Sequence, residues 1–175
     1  APVALAAVCA ALAFPMGMPF PSALARIAAG SLPWPLAWDG FASVAAGASG
    51  HGGLLVIDGD ASLRCGISMK GIDIVVAGSG GDFSAFMAQA GTLVICGDAG
   101  DALGDSLYEA VIYVRGSIAG LGADAREEPF TPSDVVAVAE LLALAGFDHD
   151  PREFKRVASA RMLYHWNADH SSHYG

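Results

Sequence analysis

GDASLRCGISMKGIDIVVA, GSGGDFSAFMAQAGTLVIC and GDAGDALGDSLYEAVIYVR follow one another without a break from Gly59 to Arg115. Gly59, Gly78 and Gly97 each open one of these segments, and Gly116 opens another, less regular turn after the same 19-residue interval. Each segment contains one β-branched run, at Ile72–Val76, Thr92–Ile95 and Val111–Val114, and Leu54–Ile57 precedes them in the same frame. A fixed period of this size marks one supersecondary unit repeated and stacked, because no copy can bury its apolar face alone. The runs are too far apart for two-residue hairpins, so equal spacing predicts parallel strands, one per coil.

An imperfect copy, GFASVAAGASGHGGLLVID, runs from Gly40 to Asp58, with Gly47 opposite Gly66 and Gly104, and Gly52 opposite Gly71. The chain therefore divides into an Ala/Pro-rich apolar segment at 1–39, a glycine-repeat β-helix at 40–125, and a helical extension with an aromatic and His-rich tail at 126–175. At a spacing of roughly 4.8 Å per coil, four coils make a rod about 20 Å long.

A coil this small must turn sharply. Gly59, Gly78, Gly97 and Gly116 are expected at corners that need either positive φ or close backbone approach. The competing reading is an anion nest built from the amides of GSGG at Gly78–Gly81. That stretch lacks the P-loop Lys-Ser/Thr ending and the full dinucleotide fingerprint. Asp60 and Asp98 follow corner glycines, where a short carboxylate is expected to accept backbone N–H bonds rather than act in catalysis. Met69, Met87, Phe83 and Phe86 are expected to pack a core or a partner face.

The net charge of −9 excludes a phosphate-backbone binder, since too few Lys and Arg are present to replace counterions. Charge is also uneven: residues 1–57 carry only Arg26 and Asp39. Pro2, Pro15, Pro19 and Pro21 interrupt the apolar beginning and no basic flank precedes it, which favours a buried or partner-covered segment over a membrane anchor or signal peptide. Cys9, Cys65 and Cys96 show no Cys-x-x-Cys or local Cys/His spacing and read as ordinary thiols of a reducing, cytoplasmic compartment.

Gly120–Gly122 and Glu127–Glu128 mark the exit from the repeat. Thr131-Pro-Ser-Asp134 then supplies an N-cap, a proline in the first turn and an acidic third residue. Val135, Val138, Leu141, Leu142 and Leu144 define an apolar helix stopped by Gly146, expected to pack on the coil stack or on a partner. Asp150-Pro-Arg-Glu153 repeats the starting device and predicts a second helix, with Phe154, Val157, Ala158, Arg161 and Met162 along one side. In the tail LYHWNADHSSHYG, metal ligation by His165, Asp169, His170 and His173 ranks below docking, because no recognised ligand spacing unites them and captured aromatic rings bury large areas.

No nucleophile elbow, paired-carboxylate helix motif or Cys–His–acid set emerges, so no catalytic, cofactor-binding or metal-ligating residue is assigned. From its residues alone the chain reads as an all-β, noncatalytic interaction protein.

The stretch from GGLLVIDGDASLRCGISMKG to SLYEAVIYVRG resembles the GXGXG β-helix that forms the C-terminal domain of the large polypeptide of glutamate synthase. It is more similar still to the stand-alone subunit of that type in N-methylglutamate synthase and related glutamate-synthase-like complexes. The resemblance covers roughly residues 40–125, and FKRVASARMLYHWNADHSSHYG also resembles the ending of those proteins. It implies a single-stranded, right-handed parallel β-helix of about 19 residues per coil that performs no chemistry itself. The implied role is a structural subunit of a cytoplasmic hetero-oligomer, beside a glutaminase-type amidotransferase and an FMN-dependent synthase. FMN and an iron–sulfur cluster are then expected in a partner, with none bound by this chain alone. Residues 1–39 depart from the glycine coils that the family carries ahead of the matched part.

Three other readings compete. The β-helical subunit of a formylmethanofuran-dehydrogenase-like complex has similar coils and different partners. A left-handed β-helical acyltransferase would show a six-residue period, which is absent. A small-molecule site at a junction between subunits would use the Ser79–Gly81 amides or Arg64.

Overall fold

The computed structural model describes residues 24–28 and 46–160. Seven strands form one sheet in the order β1-β2-β3-β4-β5-β7-β6. These are β1 (Leu24–Ala28), β2 (Leu54–Asp58), β3 (Lys70–Val76), β4 (Ala90–Ile95), β5 (Val111–Val114), β6 (Ala125–Glu128) and β7 (Lys155–Ser159). The first five are parallel, and the pairs Leu54↔Asp73, Asp73↔Thr92 and Thr92↔Val111 advance by one 19-residue period each. A second column of bridges, Ala61↔Gly80, Gly80↔Ala99 and Ala99↔Ile118, keeps the same step on another side of the coil. The fold is a parallel β-solenoid with the 19-residue step that the repeat predicts, and it makes about three turns where the sequence suggested four coils.

Strand alternation sends side chains to two cores. Leu55, Ile57, Ile74, Val76, Leu93, Ile95, Ile112 and Val114 point into the solenoid, where Cys65, Met69, Leu103 and Leu107 meet them. Val56, Val75, Val94 and Tyr113 stack on the outer face, at successive positions of the period. Both faces of these strands are apolar, which suits parallel strands covered on both sides.

The cover, among the described residues, is the helix α1 (Pro132–Ala145), which lays Val138, Leu142 and Ala145 over the outer ladder. Its start follows from the sequence. Thr131 and Asp134 form a reciprocal capping box with Pro132 in the first turn, and Gly146 ends the helix at φ 77°.

Two elements differ from expectation. The segment after Asp150 makes one short 3₁₀ turn, Pro151–Glu153, and then the strand β7 instead of a second helix. The unpaired edge of β5 offers a row of backbone donors and acceptors, and β7 takes it in antiparallel register, Ile112↔Val157 and Val114↔Lys155. Val157 enters the solenoid core from β7, and Phe154, just before the strand, enters the outer core. β6 then pairs with β7, and its charged sequence AREE forms the outermost strand of the sheet. The second difference is β1. The glycine period begins near Gly40, yet Leu24–Ala28 adds a strand parallel to β2, with Leu24 opposite Leu54.

Candidate functional site

Three of the four corner glycines, Gly78, Gly97 and Gly116, work by close approach, while Gly59 stands at φ 145°. The N–H groups of Gly78, Gly97 and Gly116 donate to the carbonyls of Gly59, Gly78 and Gly97 at 2.8, 2.8 and 2.9 Å. A Cβ on Gly97 would lie 2.7 Å from the Gly78 carbonyl carbon, closer than side chains are found. Gly78, Gly97 and Gly116 are not held at positive φ; coil spacing excludes a side chain there.

Beside this column runs a ladder of side chains that cap the backbone of the next coil. Asp60 Oδ1 accepts from Ser79 N at 2.7 Å, Ser79 Oγ from Asp98 N at 3.2 Å, and Asp98 Oδ1 from Ser117 N at 2.7 Å. Asp73 and Asp82 accept in the same way from Thr92 N and Asp101 N, again one period on. Bonds from the Ser117 amide and hydroxyl, with the Lys155 charge a lesser aid, hold the Asp98 carboxyl below the usual aspartate range. The expected structural role of Asp60 and Asp98 is what the geometry contains, and it extends to three further positions. A 19-residue spacing between Asp73 and Thr92 was the readable signal for the others.

The same bonds remove the anion-nest reading of GSGG. The amides of Ser79, Gly80 and Gly81 donate to Asp60 Oδ1, Asp98 O and Ala61 O, so none remains to cradle a phosphate. Arg64 stands elsewhere on the coil, with its guanidinium 6.0 Å from the centre of the Phe83 ring.

The third side of each coil is an arc in which every second residue has positive φ. Arg64, Gly66 and Ser68 start the pattern at 59°, 71° and 51°; Phe83, Ala85 and Met87 repeat it at 56°, 58° and 53°; Ala102, Gly104 and Ser106 follow. Alternation turns successive N–H groups in opposite directions. Arg64 and Ser68 donate to the following coil, at Asp82 O and Phe86 O, while Gly66 donates back to Ala46 O. Met69 is buried in the core, whereas Phe83 and Met87 face outward with 41% and 49% of their surface exposed.

A polar cluster lies where β7 meets α1. Tyr113 Oη donates to Asp134 Oδ1 at 2.7 Å, and Arg156 Nε reaches the same oxygen at 3.3 Å. Asp134 Oδ2 accepts from Thr131 N and Oγ1. Burial raises the Asp134 carboxyl, but the bonds from Thr131 and Tyr113 and the Arg156 charge outweigh it, and its pKa lies below the ordinary value. Burial first, then Asp134, pushes the Tyr113 phenol far above the usual tyrosine range. Sequence reasoning assigned Asp134 to the helix cap and missed Tyr113 and Arg156, which lie 21 and 22 residues away with no shared motif. The cluster fastens β5, α1 and β7 together. An open groove of about 320 Å³ beside it is lined by Tyr108, Glu109, Arg156 and Ser159. The Arg156 guanidinium, the one cation on that lining, is engaged with Asp134 and Glu128.

Cys65 and Cys96 are buried, and desolvation pushes their thiols up to about 12 and about 11. Among the described residues no group of three or more His, Cys, Asp or Glu is placed to hold a metal ion. Cys9, the apolar segment at 1–39 apart from 24–28, residues 40–45 of the first coil, Arg161 and Met162 of the expected second helix, and the tail residues His165, Asp169, His170 and His173 lie outside the described residues. No helix of the described residues is long and apolar enough to cross a membrane.

The chain is similar to Protein GlxC of Rhizobium meliloti (strain 1021). The two are 54% identical over 95 residues, which is 54% of this chain and 42% of the relative's length. The chain thus spans less than half of the curated relative it matches. No protein-family model matches it, and no solved structure does.

Proposed function

We propose that this chain is a noncatalytic structural subunit of a glutamate-synthase-like complex of the N-methylglutamate synthase type. It would organise a glutaminase-type amidotransferase and an FMN-dependent synthase, with FMN and the iron–sulfur cluster held by the synthase. The observation that carries the reading is the 54% identity to Protein GlxC in a chain whose 19-residue glycine coils resemble the GXGXG β-helix.

The chemistry of the coils supports the noncatalytic part. Five carboxylate or hydroxyl side chains along the coils, those of Asp60, Asp73, Ser79, Asp82 and Asp98, are spent on backbone amides one coil away. Such a rod is stiff along its axis, since every coil is bonded to the next by strands, bridges and side-chain caps. A stiff body holds two separate active sites at a fixed distance and orientation, which is what ammonia transfer between components requires.

Purification of the complex from its source organism through a tag on this chain, followed by native mass spectrometry, tests the proposal. An assembly containing an amidotransferase-like and an FMN-bearing synthase-like polypeptide is expected. A stable monomer that carries neither overturns it.

A further inference from the structure

The middle coil departs from its neighbours on the arc. Phe83, Phe86 and Met87 stand where the preceding coil has Arg64, Ile67 and Ser68, and where the following coil has Ala102, Asp105 and Ser106. Phe83 and Phe86 meet edge to face at 6.2 Å, and Leu63, next to Arg64 on the preceding coil, is exposed. Phe83 and Met87 carry large apolar side chains on backbone at positive φ, where glycine or asparagine is the low-cost choice. Neither is required by the solenoid interior, which Ala85 and Ala88 fill from the same arc. Local folding favours small or polar residues here, as the adjacent coils have. An exposed aromatic cluster on strained backbone is instead what a contact surface needs.

We propose that the arc centred on Phe83 and Met87 is the docking surface for a protein partner that presents an apolar centre ringed by basic residues. Charge selects that occupant. The Phe83 and Met87 amides donate to the Asp101 and Asp105 carbonyls, so those two residues border the cluster, with Asp82 adjacent in sequence and Arg64 the opposing charge. A second copy of this chain brings the same acidic border and a further charge of −9, and anionic lipid headgroups meet the same repulsion. The surface rests on the proposed function only in expecting the partner to be another subunit of that complex.

The test uses the full chain in the assembly purified from its source organism. Benzoylphenylalanine at position 83 is expected to crosslink one identified partner polypeptide at a reproducible site flanked by Lys or Arg. The Phe83→Asn, Met87→Ser double variant is expected to weaken retention of that polypeptide at least tenfold, while the free chain keeps its circular dichroism and its thermal midpoint stays equal or rises. Asparagine tolerates the left-handed backbone, so loss of binding is separated from loss of fold. Retention within twofold by the double variant overturns the surface, as does a crosslink to a second copy of the chain or to lipid. The two proposals fail separately. A crosslinked, variant-sensitive partner in an assembly that holds neither an amidotransferase-like nor a synthase-like polypeptide leaves the surface standing and removes the function. Unchanged retention of those two components does the reverse, and a parent chain that emerges alone overturns both.

Discussion

The corner and the arc meet the same period by opposite means. At the corner, Gly78, Gly97 and Gly116 bring backbones so close that no side chain fits, and Asp60, Ser79 and Asp98 cap the amides that strand pairing leaves over. On the arc, alternating backbone hands satisfy the amides without help, as the bonds of Arg64, Gly66 and Ser68 to both neighbouring coils illustrate. Side chains at the corner are therefore bound to structural duty, while on the arc the inward ones fill the core and the outward ones, such as Phe83 and Met87, are left over. The arc is where this chain places Arg64, Phe83 and Ala102 at one position of the period. A repeat can carry a specific surface only on the side whose geometry does not consume the side chains.

The corner should break first. Gly97→Ala sets a methyl against the Gly78 carbonyl carbon, Gly78 oxygen and Ser79 Oγ, at 2.7 to 2.8 Å, and backbone cannot yield as a flexible side chain does. A loss of about 3 kcal/mol or more is expected, read from urea unfolding. Gly66→Ala on the arc is expected to cost less, about 1–2 kcal/mol. Its methyl meets only the mobile ends of Ile74 and Met69 at 3.3 Å, and the left-handed backbone supplies most of the penalty. Ala85→Gly, one period later, should change stability by under ~0.5 kcal/mol, because relief at φ 58° offsets the loss of a buried methyl.

Asp98→Asn probes the corner's charge through pH. The folded-state pKa of Asp98 is lowered, so its contribution is present above the unfolded aspartate value of about 3.9 and is lost as pH falls through the folded one. The parent is expected to exceed the variant in thermal midpoint at neutral pH, and the gap should close on acidification. A gap that persists in acid would assign the effect to shape rather than charge. The smallest effect is expected from Phe83→Asn alone, a gain of a few tenths of a kcal/mol in the isolated chain, measured in the same urea series.

Much of this was readable beforehand where the cause is local. The four runs from Leu54 to Val114 became strands because a β-branched stretch every 19 residues can pair with its own copies and nothing else nearby. Thr131 and Asp134 became a capping box because both partners lie within one turn. Arg156 was harder to place: its role depends on Tyr113 and Asp134, brought together only when β7 docks beside β5. Phe154 and Val157 have a spacing that a helix and a strand can both bury, so their pattern alone did not choose between them.

The coil is written in the amino-acid order: its length, its strand, its glycine corner and the carboxylates that cap it, all repeated and hence checked against themselves. Tertiary structure alone decided how the stack ends. Lys155–Ser159 is a strand because an open β edge offers unpaired amides and carbonyls that a short helix leaves unsatisfied, and Leu24–Ala28 joins β2 outside the glycine period. An edge exists only once the coils have assembled, so no local signal in either segment records it.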